Sequence, residues 1–329
     1  MWKRYFFLFI VSVIAFGAFA DTYNITRSQQ KIMTEEAEDW MDDMPDGIQD
    51  RLSDAVNHSL RGFFGELEYF RNIADTTGIG KYKVTVKNFQ GGKNSNIPMR
   101  IYKGISVAKD KILPLLIYFH GGGWTMGSIE TSDRFCRALA SEGNVIVVSV
   151  SYPLAPEYAY PSGIEICVGA VEFIETKAKE WGSDKSLISL GGDGAGGNIA
   201  LSVLQKLPDS NKIRSMVLYY PLLHASGELD TSLKQKYGRG YGFDSRLWEA
   251  YVNAYKGENL QISKVLPPVL LISAGRDIII NEEKNFSSSQ KGVTYIEFEG
   301  ALHGFISDNH QNTAFNLAVN LTNKFLQTK

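Results

Sequence analysis

The chain has 329 residues, 44% of them hydrophobic and 21% charged, which suits one large globular domain or one domain with a small appendage. Its 34 basic and 36 acidic residues leave a formal net charge of −2, with no basic excess of the kind an electrostatic nucleic-acid binder carries. No internal repeat or low-complexity linker divides it.

Met1-Trp2-Lys3-Arg4 is a basic start, residues 5–16 are almost wholly apolar, and Ala18-Phe19-Ala20 is a small-x-small site before Asp21. This pattern predicts a cleavable secretory signal over residues 1–20 and an exported protein, periplasmic or secreted. An uncleaved anchor is the alternative, but the apolar run is short for a full span. No stable membrane span is expected once the signal is removed. No Cys follows the site to carry a lipid. Loss of Lys3 and Arg4 takes the net charge from −2 to −4.

Residues 28–78 read as helical and polar. Glu35, Glu36, Glu38, Asp39, Asp42 and Asp43 crowd around Trp40, as on a solvated helix face. Leu60, Phe63, Phe64, Leu67 and Phe70 recur at helical spacing and need a surface to pack against. From Lys81 the pattern changes. Residues 82–86 and 97–105 alternate like half-exposed strands, separated by the turn residues Gly91-Gly92-Lys93-Asn94. Short apolar runs at 113–119, 145–150, 187–190, 216–220 and 269–272 read as strands buried on both faces. Helical stripes lie between them, the clearest being Ile199, Ala200, Val203, Leu204 and Leu207. Ala314, Ala318, Leu321 and Phe325 mark a final amphipathic helix. This alternation predicts an α/β fold with a mainly parallel sheet covered on both sides. The interval from Tyr220 to Val269 is too long to be structureless and reads as an insertion over the active end of the sheet.

Four motifs carry chemistry. Gly121-Gly122-Gly123 follows a buried strand, and consecutive glycines leave backbone N–H groups free to meet an oxygen that gains charge during acyl transfer. Gly192-Asp193-Gly194-Ala195-Gly196 lies between a strand and a helix, the context of a nucleophile elbow. Asp277 ends a strand, where a carboxylate can orient a histidine. His303 follows the strand at 293–298, which completes the chain order apex, acid, histidine. Singly, Asp277 and His303 would be ordinary loop residues. His58, His120, His224, His303 and His310 are scattered and no Cys/His spacing suits zinc, so neither metal nor cofactor is expected. Cys136 and Cys167 read as small buried hydrophobes on different helices, although export would permit a disulfide.

Together these residues resemble the hormone-sensitive-lipase group of α/β-hydrolases, which includes bacterial esterases and the plant gibberellin receptors. The likeness runs from about residue 98 to the C-terminus. It rests on His120-Gly121-Gly122-Gly123-Trp124, Leu154-Ala155-Pro156-Glu157, the run 192–198 and His303-Gly304-Phe305. It implies an α/β-hydrolase fold with a helical cap and a small ester or acyl ligand. Gly122, Gly123 and Ala195 would form the oxyanion hole, and Asp277 and His303 would be acid and base. It further implies a cap made from residues 21–80 and an insertion at about 222–262 of a hydrolase domain spanning 81–329. It would place the helices bearing Cys136 and Cys167 on opposite faces of the sheet, too far apart to bridge.

The sequence departs from this pattern twice. Pro153 stands where the family has Arg before its Leu-Ala-Pro-Glu, and Gly194 stands where it has the nucleophilic Ser. Without an Oγ the usual acyl-enzyme cannot form, a loss of about a millionfold in turnover, or roughly 8 kcal/mol of barrier. Asp193 lies one residue before the apex and Ser189 lies in the strand, so neither is expected to replace it. The expectation is therefore an esterase-like pseudoenzyme or a severely weakened esterase. The alternatives are an active esterase using water or an unrecognised nucleophile, and a non-catalytic small-molecule receptor. Tyr237, Tyr241, Phe243 and Trp248 suggest an aromatic-lined cap, although their spacing also fits plain packing.

Overall fold

The computed structural model describes residues 24–328 apart from 74, 75, 94, 95, 109 and 227. The predicted signal, residues 1–20, lies outside the described residues. The apolar runs form strands of one eight-stranded sheet. They are β1 (Val84–Gly91), β2 (Ile97–Gly104), β3 (Leu115–Phe119), β4 (Ile146–Val150), β5 (Ile188–Asp193), β6 (Ser215–Tyr219), β7 (Val269–Arg276) and β8 (Val293–Leu302). The order is β1-β2-β4-β3-β5-β6-β7-β8. β1 and β2 pair antiparallel, β2 meets β4 antiparallel, and the remaining pairs are parallel. The fold is thus the mainly parallel α/β sheet that the alternation predicts, as the resemblance to α/β-hydrolases implies. β5 and β7 run several residues past their apolar stretches, because Gly191, Gly192 and Ser273 keep strand geometry without adding bulk.

β3 shows how the sheet divides the core. Leu115, Ile117 and Phe119 face one buried cluster, and Leu116 and Tyr118 face the other. α5 (Ser162–Trp181) and α6 (Ala195–Lys206) cover the first face. α4 (Asp133–Ser141) and α10 (Asn312–Thr328) cover the second. The stripe Ala314, Ala318, Leu321 and Phe325 is buried against it, and a fully buried Phe is worth about 1.5–3 kcal/mol. Cys136 on α4 and Cys167 on α5 are buried free thiols on opposite faces.

Three helices precede the sheet: α1 (Arg27–Asp43), α2 (Ile48–Ser59) and α3 (Gly65–Arg71). Thr26 and Gln29 cap α1 reciprocally, at 3.2 and 2.9 Å. Its acidic run is more than a solvated face. Glu38 pairs with Arg276 at 2.9 Å, and Glu36 accepts from the Thr313 N–H at 2.8 Å. The single apolar stripe expected at 60–70 is split. Leu67 and Phe70 are buried, but Leu60 and Phe63 are 40% and 70% exposed. The helical period breaks because α2 ends at Ser59 and Gly62 turns the chain at φ +88°. Between β6 and β7 lie α7 (Thr231–Tyr237) and α8 (Ser245–Tyr255), N-capped by Asp230 and Asp244. α8 packs on α2, and Asp50 of α2 pairs with Arg246 at 2.5 Å and Arg239 at 3.1 Å. Among the described residues no helix is long and apolar enough to cross a membrane.

α9 (Ile280–Ser289) carries a buried acid, Glu283. Among the described residues no donor meets either of its carboxyl oxygens with full hydrogen-bond geometry, and the nearby Ser273 hydroxyl offsets only part of the effect of burial. Burial first, and then the charge of Asp277, pushes the Glu283 carboxyl well above the usual range. The folded chain therefore holds a proton here that the unfolded chain releases, and stability falls as pH rises above the ordinary glutamate value. Glu283→Gln removes this dependence. The melting temperature of the variant relative to the parent is expected to rise from pH 5 to pH 8. Parallel melting curves across that range would refute a buried neutral acid.

Candidate active site

The elbow follows from its sequence. β5 delivers the chain into Gly194 at φ 51° and ψ −117°, and α6 begins at Ala195. Few L-residues sit at that φ without strain, whereas glycine does. Gly196 has a different reason, since a Cβ there would lie 2.0 Å from the Phe119 carbonyl oxygen. The Gly194 N–H donates to the Tyr219 carbonyl at 3.0 Å, and its own carbonyl accepts from Leu222 at 3.0 Å. The apex is therefore pinned on both sides.

Asp277 and His303 stand at the ends of adjacent parallel strands, β7 and β8. His303 Nδ1 lies 2.6 Å from Asp277 Oδ2, and the Ile279 N–H donates to Oδ1 at 3.2 Å. A carboxylate only accepts here, so it fixes the proton on Nδ1 and leaves Nε2 as the free lone pair. The imidazole packs between Tyr220 and Phe243, with ring centroids at 4.6 and 4.4 Å. Nε2 points at the apex. A Cβ built on Gly194 would lie 3.3 Å from it and 3.9 Å from Cε1, with no other atom of the described residues within 4 Å apart from those of its chain neighbours.

The glycine loop after β3 approaches from the other side. Gly121 N–H donates to Asp193 Oδ1 at 3.0 Å, and the Tyr118 hydroxyl donates to the same oxygen at 2.7 Å. Burial raises the Asp193 carboxyl pKa, and these two donors oppose the rise. Asp193 is thus bonded to the glycine loop, one residue out of register with the apex. Burial lowers the pKa of His120 to about 4, so it is neutral and donates Nδ1–H to the Gly121 carbonyl at 2.8 Å. Among the described residues no acceptor takes the N–H groups of Gly122, Gly123 or Ala195. All three residues line a cavity of about 480 Å³ together with Gly194 and His303.

The apolar part of the cavity wall comes largely from two distant parts of the chain, while Asp193, Ser307, Asp308 and Asn309 add polar groups to the lining. Trp40, Leu52 and Ile73 arrive from the N-terminal segment; Phe243, Leu247 and Tyr251 arrive from the stretch between β6 and β7. Of the four aromatics singled out in the sequence, only Phe243 lines this cavity. Tyr237 and Tyr241 pack on each other at 5.0 Å, and Trp248 is buried in the core. Tyr251 was not among them, although it lies one turn after Leu247 on the same helix face. Among the described residues no three His, Cys, Asp or Glu side chains cluster to hold a metal ion.

Comparison with known proteins agrees with this architecture. The profile of a family described as having the alpha/beta hydrolase fold matches residues 116–307, more than half of the chain. The chain belongs to this α/β-hydrolase family. Its relatives include the carboxylesterase NlhH of Mycobacterium tuberculosis, 41% identical over 129 residues, which are 39% of this chain and 40% of the relative. The carboxylic ester hydrolase LipN of the same organism is 26% identical over 240 residues, 66% of this chain and 62% of the relative. The matched region thus spans about two-fifths of the length of the first of these curated relatives. Among solved structures, a Pyrobaculum calidifontis esterase superposes with a TM-score of 0.69 at 23% identity, covering 93% of this chain and 99% of that one. A thermostable esterase from Pseudomonas putida gives 0.72 at 20% identity, covering 89% and 96%. At such identities the structural likeness is one of fold. Within this α/β-hydrolase, all six residues expected at the site converge on one cavity or on the histidine beside it.

Proposed function

We propose that this chain is a carboxylesterase-like protein whose attacking residue is lost, leaving a pseudoenzyme or a severely weakened esterase that still binds a small ester or acyl ligand. The supporting observation is the 3.3 Å between the Gly194 Cβ position and Nε2 of a histidine held by Asp277. Base, acid and three free N–H donors surround a place with no side chain to activate. Gly122, Gly123 and Ala195 serve as the oxyanion hole in this reading. Residues 21–80 and about 222–262 act as its cap, and the apolar wall they provide suits an acyl chain. An N-terminal signal over residues 1–20 exports the protein.

Slow direct attack by water is a second reading, because the His303–Asp277 pair is intact and the space before Nε2 is open. One assay tests both, because slow water attack would lose its residual turnover in a His303→Ala variant whereas a chain without catalysis would show no change. The parent chain and a His303→Ala variant are compared on a short acyl nitrophenyl ester. Turnover no more than about a thousandfold above water is expected from the parent. Hydrolysis at ordinary esterase rates that His303→Ala abolishes would overturn the pseudoenzyme reading. A ligand that raises the melting temperature without being turned over would favour a receptor.

A further inference from the structure

Arg71, the last residue of α3, reaches across the molecule to the glycine loop. Its Nε donates to the Thr125 carbonyl at 2.7 Å, and Nη2 donates to the Ala155 carbonyl at 2.8 Å. Nη1 and Nη2 also grip Glu157 in a fork, at 2.6 and 2.9 Å. The side chain is only 15% exposed, and the pairing holds the Glu157 carboxyl below its usual range. Thr125 belongs to the turn that opens at Gly122, whose carbonyl accepts from Thr125 at 3.1 Å and Met126 at 2.8 Å. The Ala155 N–H donates to the Trp124 carbonyl at 2.8 Å, so the two segments bridged by Arg71 also bond to each other.

One guanidinium therefore joins the N-terminal segment, the glycine loop and the Leu-Ala-Pro-Glu turn. Pro153 supplies this turn with no cation, and Arg71 does so from 86 residues before Glu157. A lysine replaces it only in part, because a single ammonium nitrogen with three donors cannot span the four bonds that the planar fork makes to one carboxylate and two carbonyls. Donors that stabilise developing charge must be held within about 0.5 Å to be effective. We propose that Arg71 is a positioning residue for the oxyanion loop, fixing the N–H groups of Gly122 and Gly123 where an ester oxygen would lie. The assignment rests on the reading of those N–H groups given above.

The test has two arms. In the parent chain, amide hydrogen exchange is followed for Arg71→Ala, Arg71→Lys and a control, Arg61→Ala. Arg71→Ala is expected to speed exchange over 121–127 by about tenfold or more while β5 keeps its protection. Arg71→Lys is expected to fall between, and Arg61→Ala to match the parent. In a Gly194→Ser background, with active sites counted by a fluorophosphonate, Arg71→Ala is expected to lower kcat per site by about 10- to 100-fold with KM within about threefold. Arg71→Lys carries the same comparison if the alanine variant does not accumulate. Unchanged exchange over 121–127, an equal loss of protection across the whole chain, or an unchanged kcat per site would each overturn the proposal. An inactive Gly194→Ser chain would count against the reading of the site, and the exchange arm would still decide the role of Arg71.

Discussion

Gly194→Ser is expected to raise kcat/KM on a short acyl nitrophenyl ester by at least about a thousandfold over the parent chain. The expectation follows from what already surrounds the apex. The Cβ position lies 3.3 Å from Nε2, and among the described residues, its own chain neighbours apart, only Cε1 of the same ring also comes within 4 Å. A hydroxyl carried on that carbon comes within hydrogen-bond reach of the free Nε2 lone pair, the arrangement that activates a serine. Stability moves the other way. At φ 51° an L-residue is strained, at about 1–3 kcal/mol, and the imidazole must give by a few tenths of an ångström. Activity should therefore rise while the unfolding free energy falls, read from denaturant titration of both chains. A serine variant as inactive as its parent would mean that the elbow, though correctly shaped, does not present a nucleophile to a bound ester.

Asp277→Asn in that serine variant is expected to lower kcat by about ten-thousandfold, with a much smaller change in KM. The carboxylate of Asp277 is fully buried and bonded on both oxygens, to His303 Nδ1 and to the Ile279 N–H. An amide of the same shape fits the site. It can present its NH₂ group to Nδ1, which moves the ring proton to Nε2 and removes the base. The expected signature is therefore a loss of turnover with little loss of folding, and steady-state kinetics normalised to titrated sites checks it. A fall of less than about tenfold would remove Asp277 from the reaction and leave it a structural acid.

Much of this architecture is written in local sequence. A parallel strand covered on both faces is a short apolar run, so β3, β4 and β6 were legible. The elbow was legible because its glycines are required by contacts that no other residue fits, as at Gly196. The acid and the histidine were legible from their order behind two glycine motifs. What escaped detection depends on segments meeting in space. Trp40 sits in an acidic run with no local reason to face a cavity, and Leu52 on α2 and Ile73, just past the end of α3, stand in segments whose placement no period encodes. Phe63 was misjudged for the complementary reason: a helical spacing of apolar residues continued across a turn. Arg71 had a signal, since Pro153 stands where the family resemblance places an Arg beside the turn that holds Glu157, and an acid without that neighbour needs a partner from elsewhere.

The central claim is that residue 194 occupies the place from which attack would begin. Labelling with a fluorophosphonate, followed by intact mass and peptide mapping, tests it most directly. The Gly194→Ser chain is predicted to take one adduct, on the peptide containing residue 194, and to lose it when His303→Ala is added; the parent chain is predicted to take none. Stoichiometric labelling of the parent, or an adduct of the variant on any other peptide, would contradict it.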